Sequence, residues 1–334
     1  MTKLMFAILS SVLLIFLLII IRKRRYYKQF DIHNFDKLIG QLGNPVLIEA
    51  KLTELLPQAQ KLSDNSVYVQ MLTQIGLMQA VQKKFEQAHA RLDQAQGACR
   101  TDDYVGQVRL LLERGRVFQQ ASDIEQAQKY FHASYELSKL HDLDYHTINA
   151  AHMIAIVEPE LSDKMRWNKL ALDLTLQTKD TKAAQWLAPL YNNLGQNYFD
   201  AQQYEKSLYH YQQALQLFEK DDRYSSANCI FSRWTIARCL RALGDVDKAF
   251  ALQHELLSTI KILEHTKQYG MPEEMFFLVR GWIYEELAEV YSLENNQFEM
   301  QKYARLALLD LEHNEMFKTT SSDRIERLHN LLIA

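Results

Sequence analysis

Residues 191–214 decide the fold, and they read YNNLGQNYFDAQQYEKSLYHYQQA. Small side chains recur in this stretch at Gly195, Ser207 and Ala214, with bulky aromatic and aliphatic residues between them. Small residues let two helices approach closely, and bulky ones fill the space between the helices. The 334 residues of the chain include only 10 Gly and 5 Pro, which favours helices over a fold rich in tight turns. The sequence therefore predicts an all-α protein.

The spacing within this stretch resembles the tetratricopeptide repeat. That family has an aromatic residue at position 4, Leu-Gly at positions 7 and 8, and Tyr at position 11. A small residue follows at position 20, an aromatic at 24 and Ala at 27. The matching residues here are Tyr191, Leu194, Gly195, Tyr198, Ser207, Tyr211 and Ala214. The resemblance implies a right-handed superhelical α-solenoid, in which each repeat is a pair of helices, A and B.

Other segments fit the same repeat frame. Three good copies consist of Leu72, Ile75, Gly76, Phe85, Ala88, Leu92 and Ala95; of Leu111, Gly115, Phe118, Ile124, Ala127, Phe131 and Ser134; and of Trp234, Ile236, Ala237, Leu240, Gly244, Asp245, Ala249 and Leu256. Two weaker copies run over 148–171 and 284–303, the second with about one extra residue in its turn. Most repeats are longer than the usual 34 residues, which predicts extended helices of the kind seen in bacterial signalling repeat proteins.

The repeat array is predicted to cover residues 45–334. A helix over 46–66 should precede the first repeat. The segment Ser322–Ile333 should form a C-terminal capping helix that covers the last apolar face, because terminal repeats need a polar outer surface.

The N-terminus has the pattern of an uncleaved membrane anchor. Leu4 to Ile21 is an uncharged run of 18 residues, just long enough to span a hydrocarbon core as a helix. Arg22-Lys23-Arg24-Arg25 follows directly, and the positive-inside rule then puts the C-terminal side in the cytoplasm. We predict a single transmembrane helix in residues 1–21, a basic juxtamembrane linker in 22–44, and a location in a bacterial inner membrane.

Composition and motifs exclude several function classes. Residues 1–30 hold six of the 38 basic residues and none of the 41 acidic ones, so residues 31–334 carry a net charge near −9. Such a domain is not expected to bind nucleic acid. Three cysteines without a CxxC pair argue against a zinc site. We find no spaced catalytic or phosphate-binding motif, and so predict no enzyme activity, no cofactor, no metal and no small-molecule substrate.

A partner protein or peptide is the predicted ligand. In the family, positions 2, 5, 9 and 12 of helix A form one stripe on the concave face. The candidate groove residues in this stripe are Arg109, Arg116, Asn149, Asn192, Gln196, Phe231, Trp234, Arg238, Arg241 and Glu285. Arginines could grip carboxylates, amides could bond a peptide backbone, and aromatics could anchor an apolar side chain. The alternative is a solvated groove whose arginines and glutamates pair with each other.

Arg238 and Arg241 are predicted to act together on an acidic or C-terminal peptide segment, and their joint removal to leave the fold intact. Position 5 carries no Lys in these repeats, so the carboxylate clamp of the chaperone-binding subtype is not implied.

The leading hypothesis for function is a membrane-anchored scaffold or adaptor. The alternative is a ligand-responsive regulator whose superhelix closes around a signalling peptide. The chain also resembles bacterial repeat proteins that carry an Ile-x-Glu-Pro and a Tyr-Asn-Asn-Leu-Gly stretch, and the anchored regulators of lipopolysaccharide assembly. The latter end in a CxxC module that this chain lacks, so that resemblance concerns architecture alone.

Overall fold

The protein is described by a computed structural model. It covers residues 32, 35, 39, 44–220, 226–266, 273–312, 314, 317, 318 and 321–333. These residues form α-helices joined by short turns, with one 3-10 helix at Ala183–Trp186, and no β-strand occurs among them. The prediction of an all-α fold is confirmed. The chain divides into two compact units, residues 1–146 and 147–334.

The first unit contains two packed helix pairs and a preceding helix. Its helices are α1 (Pro45–Ala59), α2 (Ser66–Val81), α3 (Phe85–Ala98), α4 (Tyr104–Gln120) and α5 (Ile124–Leu140). The next helix, α6 (Asp144–Val157), starts in the last residues of this unit. α2 packs on α3, and α4 packs on α5. The helix expected over 46–66 ends earlier, at Ala59, and α2 begins at Ser66, whose backbone N–H donates to the Asp64 carboxylate at 2.9 Å.

The second unit contains three further packed pairs. Its helices are the rest of α6, then α7 (Leu161–Gln177), α8 (Leu187–Asp200), α9 (Tyr204–Lys220), α10 (Ser226–Ala242), α11 (Val246–Thr266), α12 (Glu273–Leu293), α13 (Gln297–Leu311) and α14 (Ser322–Ile333). The pairs are α8 with α9, α10 with α11, and α12 with α13. The capping helix α14 packs chiefly on α13.

One turn geometry recurs between the two helices of these pairs. Each turn has one residue with positive φ, and these residues are Lys83, Ser122, Gln202, Gly244 and Asn295. The next backbone N–H bonds the carbonyl five residues earlier, as Asp245 does to Leu240 at 2.9 Å and Asn296 to Tyr291 at 3.0 Å. This is the Schellman closure of a helix C-terminus. The last pair has a three-residue turn like the others, so the extra residue predicted there is wrong.

A glycine–side-chain contact repeats at a fixed separation and sets how closely the helices approach. Gly115 lies against the Phe131 ring and Gly195 against the Tyr211 ring, sixteen residues further along in both cases. A Cβ on Gly195 would lie 2.7 Å from Tyr211 Cδ1, so no larger residue fits without movement. Ala214 is fully buried in the same pair. These contacts confirm the repeat frame read from residues 191–214.

The predicted anchor, residues 1–21, lies outside the described residues. Among those that the structure does describe, no helix has the length and apolar character needed to cross a bilayer. Within the predicted linker, Phe35 is buried in the core of the first unit, and Ile32 and Ile39 pack against that core.

Candidate partner-binding surface

Three aromatic rings from α10 and α12 form a platform in the second unit. Trp234 stacks on Trp282 with ring centroids 5.1 Å apart, and Phe231 lies 5.5 Å from Trp234 and 5.6 Å from Trp282. The Trp234 indole N–H donates to the Trp282 carbonyl at 2.9 Å. Trp234 was predicted to face a ligand and is nearly fully buried, and this bond satisfies its indole N–H there. Phe231 and Trp282 are half-buried and form the accessible part of the platform.

Arg238 lies next to this platform, one turn after Trp234 on α10. Its guanidinium carbon is 4.8 Å from the Trp234 ring centroid and 4.3 Å from that of Phe199 on α8. Within the described part of the chain it makes no hydrogen bond and no ion pair. A guanidinium that stacks on aromatic rings keeps its N–H donors in its own plane, where they can bind a carboxylate. Burial lowers the pKa of Arg238, and Glu286 acts in the opposite direction.

Arg238 belongs to a group of seven charged side chains that we term the charge cluster. Its members are Arg238 and Arg241 of α10, Glu285, Glu286 and Glu289 of α12, and Arg324 and Arg327 of α14. With all seven ionised, four arginines face three glutamates and the net charge is +1. Glu285 and Glu286 are each only 3% exposed, so their negative charges need partners inside the protein.

The glutamates obtain these partners from three of the four arginines. Arg241 binds Glu286 through two hydrogen bonds, the longer at 3.2 Å. Burial raises the pKa of the Glu286 carboxyl, and Arg241 acts in the opposite direction. Glu285 accepts from Arg324 Nε at 3.0 Å and from Arg327 at 2.6 Å. Among the residues that the structure describes, Arg238 is therefore the cation of the cluster without an acidic partner.

The adjoining stripe of α8 is polar. Gln196 donates to Asp200 at 2.7 Å and accepts from the Tyr211 hydroxyl at 3.0 Å, so its amide is held in place. The Asn192 side-chain oxygen is buried and has no hydrogen-bond partner in the described ranges of the chain. We call the surface formed by Asn192, Gln196, Phe199, Trp234 and Arg238 the Arg238 face.

Comparison with known proteins identifies a repeat family within the second unit. The tetratricopeptide-repeat profile matches residues 186–261, which hold α8, α9, α10 and most of α11. The apo form of RapI is 12% identical, has a TM-score of 0.61, and is matched over 90% of this chain and 85% of its own. Residues 186–261 of this chain therefore carry tetratricopeptide repeats.

Two further solved structures are similar. One is a signal transduction ATPase with a tetratricopeptide repeat sensor from Pyrococcus horikoshii, at 14% identity and a TM-score of 0.62; the match covers 94% of this chain and 49% of that one. The other is BtubC from P. vanneervenii, at 14% identity and a TM-score of 0.56, covering 65% of this chain and 91% of its own. Identities this low show the fold alone. A comparison with curated protein sequences gives no match. Tetratricopeptide repeats are typically non-enzymatic interaction modules.

The candidate groove residues of the first unit are engaged within the repeat protein itself. Arg109 is 9% exposed, donates to Gln70 at 3.0 Å, and lies 5.2 Å from the Phe35 ring. Arg116 pairs with the buried Glu113 at 3.3 Å. The chain's own residues thus already contact these two arginines. Asn149, on α6 in the second unit, is also buried.

Two of the candidate groove residues in the second unit are already engaged within the protein. Arg241 and Glu285 were predicted to face a partner, and each forms an ion pair whose glutamate is buried. Arg238 and Arg241 therefore cannot be removed together without leaving Glu286 buried and unpaired, at a cost of about 3–5 kcal/mol. Sequence reasoning also missed Arg324 and Arg327. Their spacing of three on the amphipathic helix α14 was the available signal, because i and i+3 share a helix face.

Proposed function

We propose that this protein is a membrane-anchored scaffold that holds an acidic segment of a partner protein against the Arg238 face. The segment would lie in the groove of a right-handed superhelix of repeats, on the cytoplasmic side of a bacterial inner membrane. The repeat family and its fold support protein binding as the activity. The uncharged run Leu4–Ile21 and the basic residues after it support the anchor and its orientation.

The proposal of an acidic ligand rests on the surroundings of Arg238. It is the one arginine of the charge cluster without an acidic partner among the described residues, and two aromatic rings hold it in place. A fixed side chain loses little conformational entropy when it binds, so it favours a ligand carboxylate more than a mobile surface arginine would. Phe231 and Trp282 offer an apolar contact beside it.

The test is partner capture by the full-length anchored protein. Arg238→Gln should reduce the amount of partner recovered after crosslinking and affinity purification, most clearly at low salt where charge contacts are least screened. Arg166→Gln is the matched control, because Arg166 is an exposed arginine of α7 whose pair with Asp163 lies on the surface. If Arg238→Gln recovers the same partners with the same salt dependence, the Arg238 face is not the binding site.

The topology has its own test. An alkaline phosphatase fused after Ala334 should be inactive, and a fluorescent reporter that matures only in the cytoplasm should be active at the same junction. Phosphatase activity from this fusion would contradict the proposed orientation.

A further inference from the structure

The capping helix α14 supplies the partners of two glutamates on α12. Arg324 and Arg327 both bind Glu285, and Arg327 also pairs with Glu289 at 2.5 Å. Within the described ranges no arginine or lysine from another helix pairs with Glu285 or Glu289. The two carboxylates therefore take their directly paired cations from α14, while Arg241 acts on both of them and Arg238 on Glu285 without an ion pair.

α14 also reaches the Arg238 face. The guanidinium carbon of Arg324 is 5.7 Å from the Trp234 ring centroid, and that of Arg238 is 4.8 Å from the same ring. Arg324 disfavours the positive charge on Arg238, whereas Glu285 and Glu286 favour it. While Arg324 and Arg327 hold Glu285, that carboxylate is not available to Arg238.

The attachment of α14 is modest. The helix has 12 residues, and Leu328 is its one fully buried side chain in the described part. Ile325, Leu331 and Leu332 are only partly buried against the core of the second unit. Isolated helices of this length are marginal in water. Segments with few buried apolar contacts are the ones that open locally before the rest of a protein unfolds.

We propose that docked α14 keeps Arg238 open to an acidic segment, and that release of α14 turns the same surface into a site for a basic segment. This rests on the proposed function. With α14 docked, the charge cluster has a net charge of +1. Without Arg324 and Arg327, two arginines face three glutamates, so the net charge becomes −1. Glu285 would then be free to pair with Arg238, and Glu289 to accept a cation from outside.

The experiment measures binding of two rhodamine-labelled ten-residue peptides by fluorescence anisotropy. One peptide is rich in Glu and the other in Lys, and the full-length protein is kept in detergent at low salt. The variants are Arg238→Gln, the pair Arg324→Gln with Arg327→Gln, and Leu328→Ala, which loosens α14 without changing its charge. The control pair, Arg166→Gln with Lys248→Gln, removes two exposed positive charges from the same unit. All variants share the basic segment after Ile21, so its binding cancels in the comparison.

The double variant Arg324→Gln with Arg327→Gln should bind the Glu-rich peptide at least tenfold more weakly than wild type does. It should bind the Lys-rich peptide more tightly than wild type does. Leu328→Ala should shift both affinities in the same directions, and the control pair should change neither beyond twofold.

Three results would count against these proposals. Suppose that Arg238→Gln no longer binds the Glu-rich peptide, but the double variant of Arg324 and Arg327 binds it like wild type. The proposed role of α14 is then contradicted, and the proposed function stands. If the double variant of Arg324 and Arg327 binds the Glu-rich peptide more weakly but does not bind the Lys-rich peptide more tightly, the proposed reversal of charge preference is contradicted. If wild type and Arg238→Gln bind the Glu-rich peptide equally, the proposed function itself fails.

Discussion

Gly195→Ala probes the closest helix contact in the repeat pair α8–α9. The added Cβ would lie 2.7 Å from Tyr211 Cδ1 and 2.8 Å from Cε1, so the ring would have to move by about 0.7 Å to reach an ordinary contact of 3.4 Å. Tyr211 is only 1% exposed, packs with Ile236 and Cys239, and donates its hydroxyl hydrogen to Gln196. The ring therefore has little room to move.

Two effects of opposite sign set the magnitude. Overpacking a buried contact costs about 1–3 kcal/mol. Replacing Gly by Ala in a helix gains about 1 kcal/mol or less. Gly97→Ala in α3 isolates the second effect, since a Cβ there meets nothing within 4 Å. We expect Gly195→Ala to be less stable than Gly97→Ala by about 1–3 kcal/mol, measured by urea unfolding of each variant against wild type.

A double-mutant cycle tests whether Tyr211 is the cause. In a Tyr211→Leu background the ring is gone, so most of the cost of Gly195→Ala should disappear. The reasoning is refuted if Gly195→Ala and Gly97→Ala change the free energy of unfolding equally, or if the cost of Gly195→Ala is the same with and without the Tyr211 ring.

Three further predictions concern stability and reactivity. Burial, with Lys169 in the same direction, lowers the pKa of His210; protonation then favours the unfolded chain, so stability should fall as pH drops below about 6.5, and His210→Phe should flatten this slope in thermal melts at pH 5–8. Asn44→Ala removes a cap that accepts from two backbone N–H groups at the start of α1, and should cost about 1 kcal/mol in urea unfolding. Burial raises the pKa of Cys239 to about 11, so iodoacetamide at pH 8 should label it only after unfolding; rapid labelling of the native protein, read by mass spectrometry, would contradict its burial.

The sequence alone determined the helical class, the repeat frame and the helix pairs of the second unit around residues 191–214. It could do so because repeat packing is local: Gly195 meets Tyr211 only sixteen residues away, and small and large residues alternate at fixed spacing. The turns were harder to predict. Five residues with positive φ lie in the turns within helix pairs, and of these five Gly244 alone is a glycine. The sequence therefore gives no sign of the shared turn geometry at Lys83, Ser122, Gln202 and Asn295.

The tertiary structure alone decided which arginines of the candidate site form ion pairs. Arg238 and Arg241 are three residues apart on one helix and are equivalent by pattern. Arg241 is paired with the buried Glu286, whereas Arg238 has no ion pair with any described residue. Glu285 and the α14 arginine that holds it, Arg324, are separated by 39 residues. A helix stripe predicts which side chains share a face, because that depends on the period of 3.6 residues. It does not predict which opposite charge a distant segment brings to that face, because ion pairing depends on distances between helices that only the folded chain establishes.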